Sequence, residues 1–208
     1  MEATTSLTQG AALRSAGHAA PAERLAVDAV RAVHGIATTG GTVILFLDFD
    51  GVVHPAHGEL FTEVDRVARW LDGWPGVDVV VSSSWREVHP QSELVEMLGP
   101  VGPRVVGCTP MLAATRQMQL ERWTLLAEES GFAHRERHQE VLDWLATSWQ
   151  PQRAWVALDD LPRLFDPGCE NLVVCDGQVG VSQENFAQLD GHARRAGLVR
   201  RARSRRRT

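Results

Sequence analysis

The apolar residues of this chain fall into short unbroken runs separated by stretches of helical periodicity. The clearest run is V-I-L-F-L at Val43–Leu47, five residues without a polar break. V-D-V-V-V at Val77–Val81, A-W-V-A-L at Ala154–Leu158 and L-V-V-C at Leu172–Cys175 are similar, and Arg104–Gly107 is a shorter candidate. Continuous apolar runs of this length suit strands covered on both faces, as in a parallel sheet. Between them the period changes. Thr62–Leu71 puts Val64, Val67, Ala68 and Leu71 on one helical face, and Gln91–Leu98 reads as a second helix. A further helix carries Val141, Trp144, Leu145 and Ser148 on one side with Leu142 flanking. Ser182 is placed to cap a helix over Ser182–Leu189, with Glu184 in its first turn. Within Thr109–His134, Leu112, Leu120, Trp123, Leu125 and Leu126 indicate at least one helix ending near Gly131. Pro75-Gly76, Gly99-Pro100 and Pro151 punctuate these segments. Strands alternating with helices predict an α/β domain around a mostly parallel sheet.

Length and composition narrow the organisation. The 208 residues leave room for one such domain with short appendages. Residues 1–40 form an N-terminal appendage: 1–20 are rich in Ala, Thr, Ser and Gly, and Pro21–His34 reads as a helix with Leu25, Val27, Ala29, Val30 and Val33 on its apolar side. The main domain is expected over 41–193. The basic residues are all arginine, and eight of the 21 lie in Arg194–Arg207, beyond the last acidic residue, Asp190. Residues 1–193 therefore carry 13 Arg against 26 Asp and Glu, a net −13, and the segment 194–208 carries +8. That tail is expected to be disordered. It suits nucleic acid or another polyanion, or the acidic body of its own chain. No apolar run approaches the ~18 residues of a membrane span. No basic segment followed by an apolar one opens the chain, so no secretory signal is expected. Three cysteines, Cys108, Cys169 and Cys175, without a C-x-x-C pair, suggest neither a disulfide framework nor a zinc site. A reducing, cytoplasmic setting is the expectation.

Chemistry concentrates where the apolar runs end. Val43–Leu47 leads into Asp48, Phe49, Asp50 and Gly51. Alternate residues of an extended chain face the same side, so the two carboxylates can converge, and they then need a cation, a shared proton or a ligand. Gly51 permits a sharp turn behind them. Val77–Val81 leads into Ser82, Ser83, Ser84, Trp85 and Arg86. Hydroxyls, fresh backbone N–H groups and a guanidinium at a strand end make an anion cradle, although serines there also cap helices. Ala154–Leu158 leads into Asp159 and Asp160. In parallel strands these acids would join Asp48 and Asp50, a grouping that suits a hard cation such as Mg²⁺. His54 and His57 have H-x-x-H spacing but no evident third ligand, and read as loop histidines at the mouth of the site. Arg135 and Arg137 precede the helix that carries Trp144, and one of them is placed near its start, facing the strand ends.

Four motifs in this order resemble the haloacid-dehalogenase-like (HAD) phosphohydrolase superfamily. They are D-F-D-G-V at Asp48–Val52, V-V-V-S-S-S-W-R, a basic residue before a helix, and V-A-L-D-D at 156–160. The resemblance spans about 43–190, and the S-S-S-W-R-E and W-V-A-L-D-D wording is similar to the capless group linked to RNA-repair proteins. It implies a Rossmann-like three-layer sandwich with little or no cap. It also implies that Asp48 attacks phosphorus to form an aspartyl-phosphate, and that Asp50 protonates the leaving oxygen and then activates water. Mg²⁺ would be held by Asp48, the Asp50 backbone carbonyl, and Asp159 or Asp160. Ser83 would bind a phosphoryl oxygen, with Ser82 as the alternative. In a chain without lysine, the basic position falls to Arg137, with Arg135 the alternative.

The intervals between motifs, 32 residues from Asp50 to Ser83 and 50 from Ser84 to Arg135, leave no room for a large cap at the first and little at the second. An open site admits a large phosphorylated substrate, and Trp85 could stack on a base while the arginine tail tracks a backbone. The resulting expectation is a Mg²⁺-dependent phosphatase acting on a nucleic-acid phosphate end. The alternatives are a phosphatase of a small phosphometabolite and, in another class, a receiver-like or Mg²⁺- and phosphate-binding module without turnover.

Overall fold

A computed structural model describes residues 43–111, 136–148 and 153–202. The expected helices at Pro21–His34 and within Thr109–His134, and Arg135 itself, lie outside the described residues. The described elements are β1 Val43–Leu47, α1 Val64–Gly73, β2 Val77–Val81, α2 Gln91–Met97, β3 Val105–Cys108, α3 Glu136–Thr147, β4 Ala154–Asp159, β5 Leu172–Val174 and α4 Gln183–Arg195. Short 3₁₀ turns at Ser84–Glu87, Gly99–Arg104 and Pro162–Leu164 link them.

The strands form one sheet in the order β3-β2-β1-β4-β5, with every pairing parallel. Every residue of β1 and β2 is buried, which is why those runs lack the alternation of a one-sided sheet. The odd-numbered residues of β1 and β2 meet α1, α2 and α4 through Val67, Leu71, Trp74, Leu94, Leu98 and Leu189. The even-numbered ones, Ile44, Phe46 and Val80, join Ala157 of β4 and meet Val141 and Leu145 of α3, with Phe165. The result is the α/β Rossmann-like three-layer sandwich anticipated for this chain.

Two polar details fix its edges. Arg104 donates to the carbonyls of Trp74 and Pro75, each at 3.0 Å, and to that of Val77, closing the turn between α1 and β2. Asp190 on α4 accepts from the indole N–H of both Trp70 and Trp74 of α1, each at 2.8 Å. The helix expected to stop at Leu189 runs on to Arg195. Its side chains still have a face to cover: Ala193 is buried in the core, and Arg194 lies over the Trp74 ring. Beyond it, Leu198 packs against Gly76, and the Arg201 amide donates to the Gly73 carbonyl at 2.8 Å. The first part of the expected tail, as far as Ala202, therefore runs along the body. Residues 203–208 lie outside the described residues.

Strand order decides where chemistry can gather. From β1 the chain moves outward through β2 and β3, then crosses to β4 on the other side of β1 and moves outward again. The connections diverge beyond the carboxyl ends of β1 and β4 and leave a crevice, the usual ligand position in open α/β sheets.

Candidate active site

Asp48 is the residue after β1, and Asp159 is the last of β4. The Asp48 amide donates to the Leu158 carbonyl at 3.1 Å, carrying the pairing of the two strands one step past β1. Both acids continue the even face of β1 and its counterpart on β4, the face covered by α3. Both are buried. Asp160, one residue on, is partly buried. One carboxylate oxygen from each of Asp48, Asp159 and Asp160 can be chosen so that all three lie within 4.8 Å of one another.

Arg137 enters from α3. With Val141 and Leu145 it forms a stripe at intervals of four residues. The lower part of that stripe is apolar and seals the sheet, while the first turn stands over the strand ends. There the guanidinium Nη1 lies 2.7 Å from Asp48 Oδ2 and 2.8 Å from Asp159 Oδ2. Glu140, one turn along, pairs with Arg86 from the segment after β2. Three ion pairs thus pin the start of α3 over the crevice.

Asp48 and Asp159 share the Arg137 guanidinium, and crowding in the site shifts the proton affinities of Asp159 and Asp160. Burial, then the neighbouring Asp48, pushes the Asp159 carboxyl up to about 7, against the pull of Arg137 and of the Leu161 amide. Burial and Asp48 raise Asp160 as well. Burial opposes the charge on Arg137, but Asp48 and Asp159 outweigh it and hold its pKa above the ordinary value. Cys175, beyond β5, is buried and close enough for burial and the three acids to push its thiol up to about 12, so it stays protonated.

The acid cluster fits a hard divalent cation. Its donors are all oxygen, and opposite ligands on Mg²⁺ stand about 4 Å apart, close to the present spread. Asp160 also lies in a cradle that glycine alone leaves open. A Cβ on Gly51 would stand 2.3 Å from Asp160 Oδ2, and one on Gly177 would stand 2.4 Å from it. Gly51 additionally has φ +70°, which disfavours any other residue. The loops bearing these glycines are tied together, Ala56 N–H to the Gly177 carbonyl at 2.8 Å and Val181 N–H to that of Val52 at 2.9 Å.

The hydroxyl-rich stretch divides by parity. Ser82 continues the face of Asp78 and Val80, the side on which Asp48 stands. Its hydroxyl is buried without a hydrogen-bond partner, as is that of Thr109 after β3. Ser83 faces the other way and caps the 3₁₀ turn, accepting from the Trp85 amide at 3.5 Å. Ser84 is exposed. Ser83 thus accepts a local hydrogen bond that leaves its O–H able to donate, while the Ser82 hydroxyl has no partner. Arg86, expected beside a phosphate, donates to the Ser83 carbonyl and to Glu140, and its Nε is buried without a partner. Trp85 donates its indole N–H to Asp50 Oδ2 at 2.9 Å. Of the two loop histidines, His57 is exposed, whereas His54 is buried and 3.1 Å from Asp50 Oδ1. The Asp50 carboxylate is not one of the three acids grouped within 4.8 Å, but it is near enough to contribute to raising Asp160.

A parallel three-layer sheet with paired acids after β1 and at the end of β4, and a cationic side chain bridging them, defines a haloacid-dehalogenase-like hydrolase domain. Residues 44–186 match the family described as the HAD domain in Swiss Army Knife RNA repair proteins, and the chain belongs to that family. No curated protein and no solved structure matches it. Membership carries phosphohydrolase chemistry in general and a divalent metal as the typical companion of that chemistry. Among the described residues no helix is long and apolar enough to cross a membrane.

Proposed function

We propose that the protein is a Mg²⁺-dependent phosphomonoesterase that works through an aspartyl-phosphate and removes a terminal phosphate from a nucleic acid. The observation that carries this reading is Arg137 bridging Asp48 and Asp159 beside Asp160 at the topological switch point.

Asp48, Asp159, Asp160 and the Asp50 backbone carbonyl would hold Mg²⁺. When bound, the ion neutralises charge on the transferring phosphoryl group and on the nucleophile. An Asp48 carboxylate oxygen attacks phosphorus, the ester P–O bond breaks, and its electron pair stays on the leaving oxygen. Asp50 gives that oxygen a proton, so an alcohol departs. Water then attacks the phosphorus on Asp48, Asp50 takes its proton, and the bond to Asp48 breaks. The products are inorganic phosphate and a free Asp48 carboxylate. Arg137, 2.7 Å from Asp48 Oδ2, holds that carboxylate in place. Ser82, with an unengaged buried hydroxyl in line with Asp48, is the donor to a phosphoryl oxygen; Thr109 is a second candidate.

Two observations favour a large substrate. The segment between Asp50 and Ser83 is a loop, α1 and β2, with no inserted domain. The family description places related domains in RNA repair proteins. The test is a screen of 3′- and 5′-phosphorylated oligonucleotides beside aryl phosphates and small phosphate esters, with Mg²⁺ or a chelator, using wild type and Asp48→Asn. Turnover on oligonucleotide ends, lost in Asp48→Asn, is expected. Turnover confined to small esters replaces the substrate assignment. Mg²⁺ binding without turnover of any ester overturns the enzyme in favour of a binding module.

A further inference from the structure

Asp50 is held in a way that its own solvation does not require. Its side chain is 46% exposed, yet both carboxylate oxygens have protein donors: His54 Nε2 at 3.1 Å on Oδ1 and Trp85 Nε1 at 2.9 Å on Oδ2. An open carboxylate is satisfied by water. These two contacts therefore fix direction rather than rescue a buried charge. The donors are costly to place. His54 has a side chain only 1% exposed, and its other ring nitrogen, Nδ1, is buried with no partner. Leaving such a group unsatisfied costs about 1–3 kcal/mol. Behind both rings stands Phe61, whose centroid is 5.4 Å from that of His54 and 5.4 Å from that of Trp85. Phe61 has φ 61°, the sole positive value at a described non-glycine residue, and bulky side chains rarely adopt it. Phe49, between the two catalytic aspartates, packs edge-on against Phe61 and tilted against Trp85. An orphaned imidazole nitrogen and a strained backbone residue thus back two donors aimed at one exposed carboxylate. Strain of this kind persists where the surroundings over-determine it, commonly at functional sites.

We infer that His54 and Trp85 are positioning residues that hold the Asp50 carboxylate toward the leaving oxygen, and so maintain the rate on substrates whose leaving group must be protonated. This rests on the phosphomonoesterase reading. With one acceptor direction on each Asp50 oxygen occupied by a ring N–H, the remaining directions are fixed rather than averaged over rotamers. An aryl phosphate expels a phenolate that needs no proton. An alkyl phosphate, including a nucleic-acid end, expels an alkoxide that takes one from Asp50.

The experiment uses the full chain with Mg²⁺ and compares kcat and KM on an aryl and an alkyl phosphate. Trp85→Phe and His54→Phe each remove one ring donor; His54→Gln keeps an N–H near the Nε2 position. The alkyl-to-aryl kcat ratio is expected to fall about tenfold or more in Trp85→Phe and His54→Phe, within the usual range for general acid catalysis, with KM nearly constant. His54→Gln should recover most of the ratio. In an Asp50→Asn background, Trp85→Phe should cause no further loss. A parallel drop on both substrates, or an undiminished Trp85→Phe effect without Asp50, overturns the inference. Either ring variant decides it alone, so one that fails to fold does not block the test. If wild type hydrolyses neither ester, the phosphomonoesterase reading fails and the inference falls with it. If wild type hydrolyses both and every variant keeps its ratio, only the inference fails.

Discussion

Replacing Arg137 with methionine isolates the electrostatic core of the site. The substitution keeps much of the unbranched stem that lies over the sheet and removes the charge. The guanidinium stands 2.7 Å from one buried carboxylate and 2.8 Å from another. Removing one partner of a buried ion pair costs about 3–5 kcal/mol when the remaining charge cannot adjust. Here it can adjust. Asp159 already binds its proton up to about pH 7, and loss of the arginine removes an influence that lowers its pKa. The variant can take up a proton instead of burying a bare charge, and that escape becomes harder as pH rises. The expected deficit is therefore pH-dependent: about 1 kcal/mol at pH 6, growing to about 3 kcal/mol at pH 8. For a domain of this size, 3 kcal/mol corresponds to a fall in Tm of about 6–12 °C. A divalent cation gives the orphaned carboxylates a new partner, so Mg²⁺ should restore more stability to Arg137→Met than it adds to wild type. Urea or thermal unfolding at the two pH values, with Mg²⁺ and with chelator, measures all of this. A deficit equal at pH 6 and pH 8, or a variant as stable as wild type, would refute the electrostatic account.

Other expectations follow from the same geometry. Ser82→Ala should raise KM for phosphate esters about tenfold by removing a phosphoryl donor, whereas Ser83→Ala should cost about 1 kcal/mol of stability through its cap; equal kinetic effects would contradict the parity argument. Gly177→Ala puts a methyl 2.4 Å from Asp160 Oδ2 and should weaken Mg²⁺ binding about tenfold or more by calorimetry, with unchanged affinity the adverse result. Asp159 has a folded pKa of about 7 against about 4 unfolded, so between those values the folded state holds the extra proton. Ion-free stability from this group should fall as pH rises from 4 to 7 and level off above, and Asp159→Asn should flatten that slope in urea titrations. Below pH 7, Mg²⁺ binding should release close to one proton, measurable from calorimetric heats in two buffers; no release would remove Asp159 from the ligand set.

Much of this arrangement was legible along the chain because the strands are buried on both faces. β1 and β2 coincide with Val43–Leu47 and Val77–Val81, and β4 adds only Asp159 to the expected run. Once the strands were parallel neighbours, the acids after β1 and at the end of β4 had to meet. The facing of the serines was readable as well, since Ser82 lies at even spacing from Asp78 and Val80, but three adjacent serines offer the same chemistry and spacing alone does not choose among them. Trp85, Arg86 and His54 were harder. Their partners, Asp50 and Glu140, are set by a tight turn after Asp50 and by a helix 54 residues beyond Arg86 in one case, and no periodicity reports either. The extension of α4 to Arg195 was hidden by its charge: Arg194 and Arg195 read as tail, yet Ala193 and the Trp74 ring give that last turn something to cover.

The segment after α4 sets where the chain's cationic end departs. Leu198 and Arg201 touch Gly76 and Gly73, which precede β2, while the carboxylates lie past the other end of β1 and β4. A five-residue strand is about 17 Å long, so the length of the sheet separates residue 202, where the arginine-rich end begins to leave the body, from the three-acid cluster. A short oligonucleotide seated end-on in the pocket would not reach that exit. Truncation after Ala202 should therefore spare hydrolysis of short ends and weaken capture of long strands, with the loss fading at high salt.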